Sequence, residues 1–142
     1  MFANPPLDEI CAVLAGVRTI AVVGLSPNEN RPSFRIARAM QSAGFDIVPV
    51  RPLVREVLGE TAYASLAEVP VPIDLVNVFR ASRHIAVLVD ECIGLRLPRL
   101  WIQEGIVDND AAQRARDAGI WTVMNRCLGR DYNGNCARRG GT

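Results

Sequence analysis

The chain has 142 residues, 49% hydrophobic and 22% charged, with sixteen Lys+Arg against fifteen Asp+Glu for a net charge of +1. That is one domain's worth of sequence with an ordinary globular balance, and a chain of this size buries about 68–70% of its unfolded surface. A near-zero net charge excludes a nucleic-acid protein that works by bulk charge. No apolar run reaches the roughly 18 residues of a membrane span, and Met1 to Gly16 lacks the basic and apolar regions of a signal peptide. A cytoplasmic protein is expected. Cys11, Cys92, Cys127 and Cys136 form no C-x-x-C pair, and in a cytoplasm they read as reduced thiols. A single histidine, His84, excludes most histidine-rich metal sites.

In chain order, Leu7, Ile10, Cys11 and Leu14 share one face of a short helix. The continuous apolar run Thr19 to Val23, closed by Gly24, is a strand buried on both faces. A helix begins around Phe34 and ends at Gly44. Asp46 to Val50 is the second strand, and Pro49 keeps it short or near an edge. A small helix fits Ser65 to Val69, before Pro70-Val71-Pro72. Ile73 to Phe79 is the third strand, and Ile85, Leu88, Val89, Cys92 and Leu95 line the helix after it. Arg99 to Gln103 is the fourth strand. Asp108 caps the next helix, whose inward face is Ala112, Ala115 and Ala118. Ile120 to Met124 is the fifth strand. Residues 1–128 thus form a single α/β domain, and 129–142, without periodicity, are expected to be an irregular or flexible tail.

Apolar strands alternating with helices imply a parallel sheet with right-handed crossovers. The expected architecture is a three-layer Rossmann-like fold, with a five-stranded sheet in order 3-2-1-4-5 and helices on both faces. Ligands of such sheets lie beyond the carboxyl ends of the strands. The loop Gly24 to Ser33 has the first glycine of a dinucleotide fingerprint but not the second or third. Its Ser26, Asn28, Asn30, Arg31 and Ser33 suit a phosphate at a helix N-terminus; Ser33 serves equally as an N-cap. Arg51 stands where an NAD site carries an acid, which suits a phosphorylated ribose, as in NADP or coenzyme A, or a solvated surface arginine. Phe79 either walls an adenine or fills the core. Arg80 suits a phosphate, and Ser82 reads as a helix cap. Gly105 permits close backbone approach, and its N–H groups could read a base. Cys127 lies beside Arg126 on the ligand edge with His84, which makes a Cys–His nucleophilic pair conceivable; a small buried hydrophobe is the plainer reading.

The ordered set Ile20 to Ser26, Arg31 to Phe34, Val48 to Pro52, Val57 to Glu60, Tyr63 to Leu66, Val76 to Arg80, Trp101 to Gln103 and Val123 to Cys127 resembles the small stand-alone CoA-binding proteins. These are similar to the CoA-binding domain of the succinyl-CoA synthetase α-subunit. The resemblance implies a Rossmann-like fold with coenzyme A over the carboxyl edge and its diphosphate near Gly24, Ser26, Arg31 and Ser33. Val50, Arg51, Phe79 and Arg80 would flank the adenosine, and Gln103 with Glu104, Gly105 and Ile106 would help hold the ligand. Relatives commonly carry Asn where this chain has Arg51, and Asp-Arg-Cys where it has Asn125-Arg126-Cys127. The resemblance implies CoA or an acyl-CoA as the ligand but no reaction; one histidine and no paired catalytic acids on the edge read as a binder without turnover, with a small molecule as its partner and neither nucleic acid nor membrane. The alternatives are an NADP-linked oxidoreductase or redox sensor, a thiol protein joining Cys127 to CoA as a mixed disulfide, and a protein scaffold that retains a nucleotide fold.

Overall fold

The computed structural model describes residues 1–137. Helix α1 (Leu7–Ala15) precedes β1 (Thr19–Val23), α2 (Pro32–Ser42) and β2 (Asp46–Val50). A two-stranded hairpin follows, β3 (Glu56–Val57) and β4 (Glu60–Thr61), then a 3₁₀ turn at Leu66–Glu68. Strand β5 (Leu75–Val78), α3 (Ile85–Gly94), β6 (Arg99–Gln103), α4 (Asn109–Asp117) and β7 (Trp121–Arg126) complete the alternation, and α5 (Leu128–Arg130) follows.

The fold class is the expected one: a five-stranded parallel sheet between two helical layers. Alternation along each strand feeds two cores. Ile20 and Val22 pack with Ile10, Leu14, Ala37, Met40 and Trp101 on one face. Ala21 and Val23 pack with Val76, Val78, Ile85, Val89, Leu100 and Ala115 on the other. Asp108 caps α4 as expected, its Oδ1 accepting the Ala111 N–H at 3.0 Å.

The strand order needs correction. The sheet runs β2-β1-β5-β6-β7, which is 2-1-3-4-5 among the five principal strands instead of 3-2-1-4-5. The third strand pairs directly with β1, placing Val23 opposite Val78. The reason lies at Pro49. Its carbonyl faces the outer rim of β2, where it accepts the Tyr63 N–H at 3.0 Å, so its missing donor faces that rim too. A continuous ladder there would lack a bond, and β2 is an edge strand whose outer rim carries an isolated bridge at Tyr63.

Residues 129–136 are not the irregular tail expected. After α5, Asp131–Cys136 forms a π-helical turn. Two long-range ties hold it, a Cys11–Cys136 disulfide and an edge-to-face contact of Phe45 with Tyr132 at 4.8 Å, together with a local two-pronged ion pair from Arg126 to buried Asp131 at 2.6 and 2.8 Å. Periodicity cannot reveal such contacts. The rest of the expected tail, 138–142, lies outside the described residues. The disulfide also corrects the reading of all four cysteines as thiols: Cys92 and Cys127 are free, Cys11 and Cys136 are not. Among the described residues no helix is long and apolar enough to cross a membrane.

Candidate functional site

The chain leaves β1 toward β2 on one side, and the next principal strand, β5, lies on the other side of β1. Their carboxyl ends therefore diverge, which opens a crevice at this switch point. A cleft of about 1240 Å³ sits there, lined by the exits of β1, β2, β5 and β6.

Gly24 sets its floor. Its φ is +84°, and a Cβ at this position would overlap the Phe79 carbonyl oxygen and stand 3.0 Å from Arg80 Cδ. Its N–H donates to the Val50 carbonyl at 2.9 Å, and Phe79 N–H donates to Val23 at 2.8 Å. The exits of three strands thus converge on a residue without a side chain. The loop beyond is shaped by its own polar groups. Ser26 N–H donates to Ser33 Oγ at 3.0 Å, Asn28 N–H to Ser26 Oγ at 3.1 Å, and Asn30 N–H to Asn28 Oδ1 at 2.9 Å. Ser33 is therefore not the N-cap of α2. It is buried in the helix's first turn, and its hydroxyl pins the loop back onto the helix; Arg31 holds the cap position without a side-chain cap bond.

Arg31, Arg51, Arg80 and Arg83 all line the cleft. Arg51 Nη1 donates to the Gly24 carbonyl at 3.3 Å. The guanidinium groups of Arg31, Arg80 and Arg83 make no hydrogen bond or ion pair among the described residues. The acid on the rim, Glu104, is bound at both oxygens by Arg130 at 2.8 and 3.1 Å, and these bonds hold its carboxyl below the usual range. Ile36, Phe79, Pro52 and Ile106 supply apolar wall.

Of the residues singled out from sequence, Gly24, Ser26, Arg31, Ser33, Arg51, Phe79, Arg80, Gln103, Glu104 and Ile106 line this one cleft. Val50 is not a lining residue; it is buried and acts through its carbonyl on Gly24. Gly105 is not one either. Its N–H donates to Asn125 Oδ1 at 2.8 Å, so it is not free to read a base. Ser82 caps no helix: its hydroxyl accepts the Val107 N–H at 3.1 Å and joins the β5 and β6 exits. His84 lines the cleft, whereas Cys127, half-buried at the start of α5, is not among the lining residues. Sequence reading missed Arg83, whose position one residue past Ser82 on the β5 exit was the available signal. It also missed Asn77, a buried amide in mid-strand under the cleft that bonds Gln103 Oε1 at 3.2 Å.

The family model for the CoA binding domain matches residues 18–133. The uncharacterized protein YneT of Bacillus subtilis is 40% identical over 125 residues, covering 88% of this chain and 93% of that one. A solved structure of cell-free ID.343 from Thermus thermophilus superposes with a TM-score of 0.86 at 31% identity, covering 91% of this chain and 98% of its own. An ADP-forming acetate–CoA ligase of Archaeoglobus fulgidus is 24% identical over 122 residues, which is 79% of this chain but only 18% of the ligase. The chain belongs to the CoA-binding domain family.

Proposed function

We propose that this member of the CoA-binding domain family holds coenzyme A, or an acyl-CoA, in the cleft at the carboxyl edge of the sheet and releases it unchanged. The observation that carries this reading is the arginine ring. Three guanidinium groups without a hydrogen-bond or ion-pair partner among the described residues (Arg31, Arg80 and Arg83) and a fourth resting on a carbonyl (Arg51) line the cleft with a loop that enters a helix N-terminus. Coenzyme A brings a diphosphate and a 3′-phosphate, and guanidinium is the donor best matched to such groups. Gly24, Ser26 and Ser33 line the side where a diphosphate would lie, and Phe79 with Pro52 offers apolar surface to an adenine.

The ligand enters and leaves as a binding partner. Glu104, the carboxylate on the rim, is engaged by Arg130, which suits it to shaping the rim and not to proton transfer. Calorimetric titration of the purified chain with CoA, pantetheine and NADP tests the proposal. CoA binding that Arg31→Ala weakens about 10–100-fold, with pantetheine binding unchanged, supports it. Equal loss for both ligands removes Arg31 as a phosphate contact. NADP binding without CoA binding replaces the proposal with the dinucleotide alternative.

A further inference from the structure

The most constrained polar group on the cleft is the side-chain amide of Gln103. It closes β6 and is only 4% exposed, yet it lines the cleft. Its Oε1 accepts from Asn77 Nδ2 at 3.2 Å and from the Leu128 backbone N–H at 3.4 Å. Asn77 Nδ2 also donates to the Trp101 carbonyl at 3.3 Å. A backbone N–H only donates and a carbonyl only accepts. Rotating the Gln103 amide would set donor against donor at Leu128, and rotating that of Asn77 would set acceptor against acceptor at Trp101. Two backbone groups thus fix two amides in series. What remains is Gln103 Nε2, with two N–H donors and no acceptor among the described residues. No fully enclosed side-chain nitrogen or oxygen lacks a partner among those residues, so Nε2 is not sealed in the core, and the residue that carries it lines the cleft.

We propose that Gln103 is a fixed hydrogen-bond donor that reads a carbonyl oxygen on the thiol-bearing arm of the ligand, a specificity role that rests on the preceding reading of the cleft. The arginines stand at the exits of β1, β2 and β5, whereas Gln103 stands at β6, one strand further from β1. A ligand anchored by its phosphates on the arginines therefore meets Gln103 with another part. Next to Gln103 the Glu104 carboxylate and the Arg130 guanidinium neutralise each other, so among the described residues this stretch of the rim offers no unpaired cation to an anion, while a neutral amide donor suits a neutral acceptor. The carbonyl acceptors of coenzyme A on that arm are its two amide carbonyls and, once it is acylated, the thioester carbonyl.

The test is titration of wild type, Gln103→Met and Gln103→Glu with CoA, acetyl-CoA and adenosine 3′,5′-bisphosphate, which has phosphates and adenosine but no arm. Gln103→Met removes the donor. Gln103→Glu keeps the acceptor that Asn77 and Leu128 require and presents an acceptor to the ligand. Each variant should lose about tenfold in affinity for CoA and keep its affinity for the bisphosphate. A larger loss for acetyl-CoA than for CoA assigns the contact to the thioester; equal losses assign it to an arm amide. Undiminished CoA affinity in Gln103→Met, or in Gln103→Glu if the methionine variant does not fold, overturns the proposal. So does equal loss for CoA and the bisphosphate, which would mark a purely structural role. A wild type that binds the bisphosphate and CoA equally well overturns this inference alone; a wild type that binds neither overturns the underlying reading as well.

Discussion

Replacing Gly24 by alanine combines two penalties that the structure allows to be separated. The first is conformational: at φ +84° an L-residue pays about 1–2 kcal/mol. The second is steric, because the new methyl would overlap the Phe79 carbonyl oxygen and lie 3.2 Å from its carbon, both of them backbone atoms that cannot rotate away. Overpacking of this kind costs about 1–3 kcal/mol more. Gly119 supplies the reference, since its φ is +91° but a Cβ there meets nothing within 4 Å. Gly119→Ala should therefore cost the conformational part alone, about 1–2 kcal/mol. Gly24→Ala should cost about 2–5 kcal/mol, which lowers the melting temperature of a chain of this size by roughly 7–17 °C. Because Gly24 joins the exits of β1, β2 and β5, CoA affinity measured well below the transition should fall in Gly24→Ala and hold in Gly119→Ala. Thermal and guanidinium unfolding of both variants measure this. Equal destabilisation by the two substitutions would refute the claim that close approach of β5 to β1 requires the glycine.

Breaking the Cys11–Cys136 disulfide, which closes a loop with a sequence separation of 125, should destabilise the chain by on the order of 4–5 kcal/mol in the loop-entropy account. Guanidinium midpoints with and without reductant check this, and Cys11→Ser/Cys136→Ser should match the reduced wild type. Arg126→Ala leaves Asp131 buried without its cation and should cost about 3 kcal/mol, read by the same unfolding assay. Burial pushes the Cys92 thiol up to about 12 from an ordinary 9.0, with Glu91 adding to the shift. In the native protein iodoacetamide should therefore modify Cys127 and spare Cys92, as peptide mapping by mass spectrometry will show. The raised value favours the neutral thiol in the folded state. Its contribution to stability is therefore complete below the unfolded value near 9 and lost as pH rises toward 12. Cys92→Ala should flatten that alkaline decline.

The strands and helices were legible because burial on both faces leaves continuous apolar runs such as Thr19 to Val23, and helices with one apolar face leave a period. The order of the strands was less so. Pro49 already marked β2 as an edge, and that local fact contradicts any order that places β2 inside the sheet. The cleft's residues were legible because strand exits face one edge whatever the order. Their individual roles were not. Ser33, Ser82 and Gly105 each direct a polar group at a residue distant in sequence: Ser26 N–H, Val107 N–H and Asn125 Oδ1 respectively. Such partners lie 7 to 25 residues away, beyond any local pattern. The packed segment 128–136 escaped for the same reason, since its ties run to Cys11, Phe45 and Glu104.

That segment explains how the β6 side of the cleft keeps its shape. Leu128 N–H holds Gln103 Oε1, and Arg130 holds both oxygens of Glu104, so two consecutive lining residues are oriented from one short helix. The helix is held in turn by the buried Asp131 against Arg126 and by the disulfide to α1. The β1 side is built differently, from a glycine with no room for a side chain and from serine and asparagine turns closed on themselves. Loops carry more mobility than the elements they join, so a pocket made only of loop residues would lose affinity to the ordering of its walls. Here each wall is anchored to a strand end or a buried polar partner before the ligand arrives. The arginine side chains are the exception: those of Arg31, Arg80 and Arg83 are held by no hydrogen bond or ion pair among the described residues. The ordering cost of binding should therefore fall on those flexible cations, and the scaffold beneath them should contribute little to it.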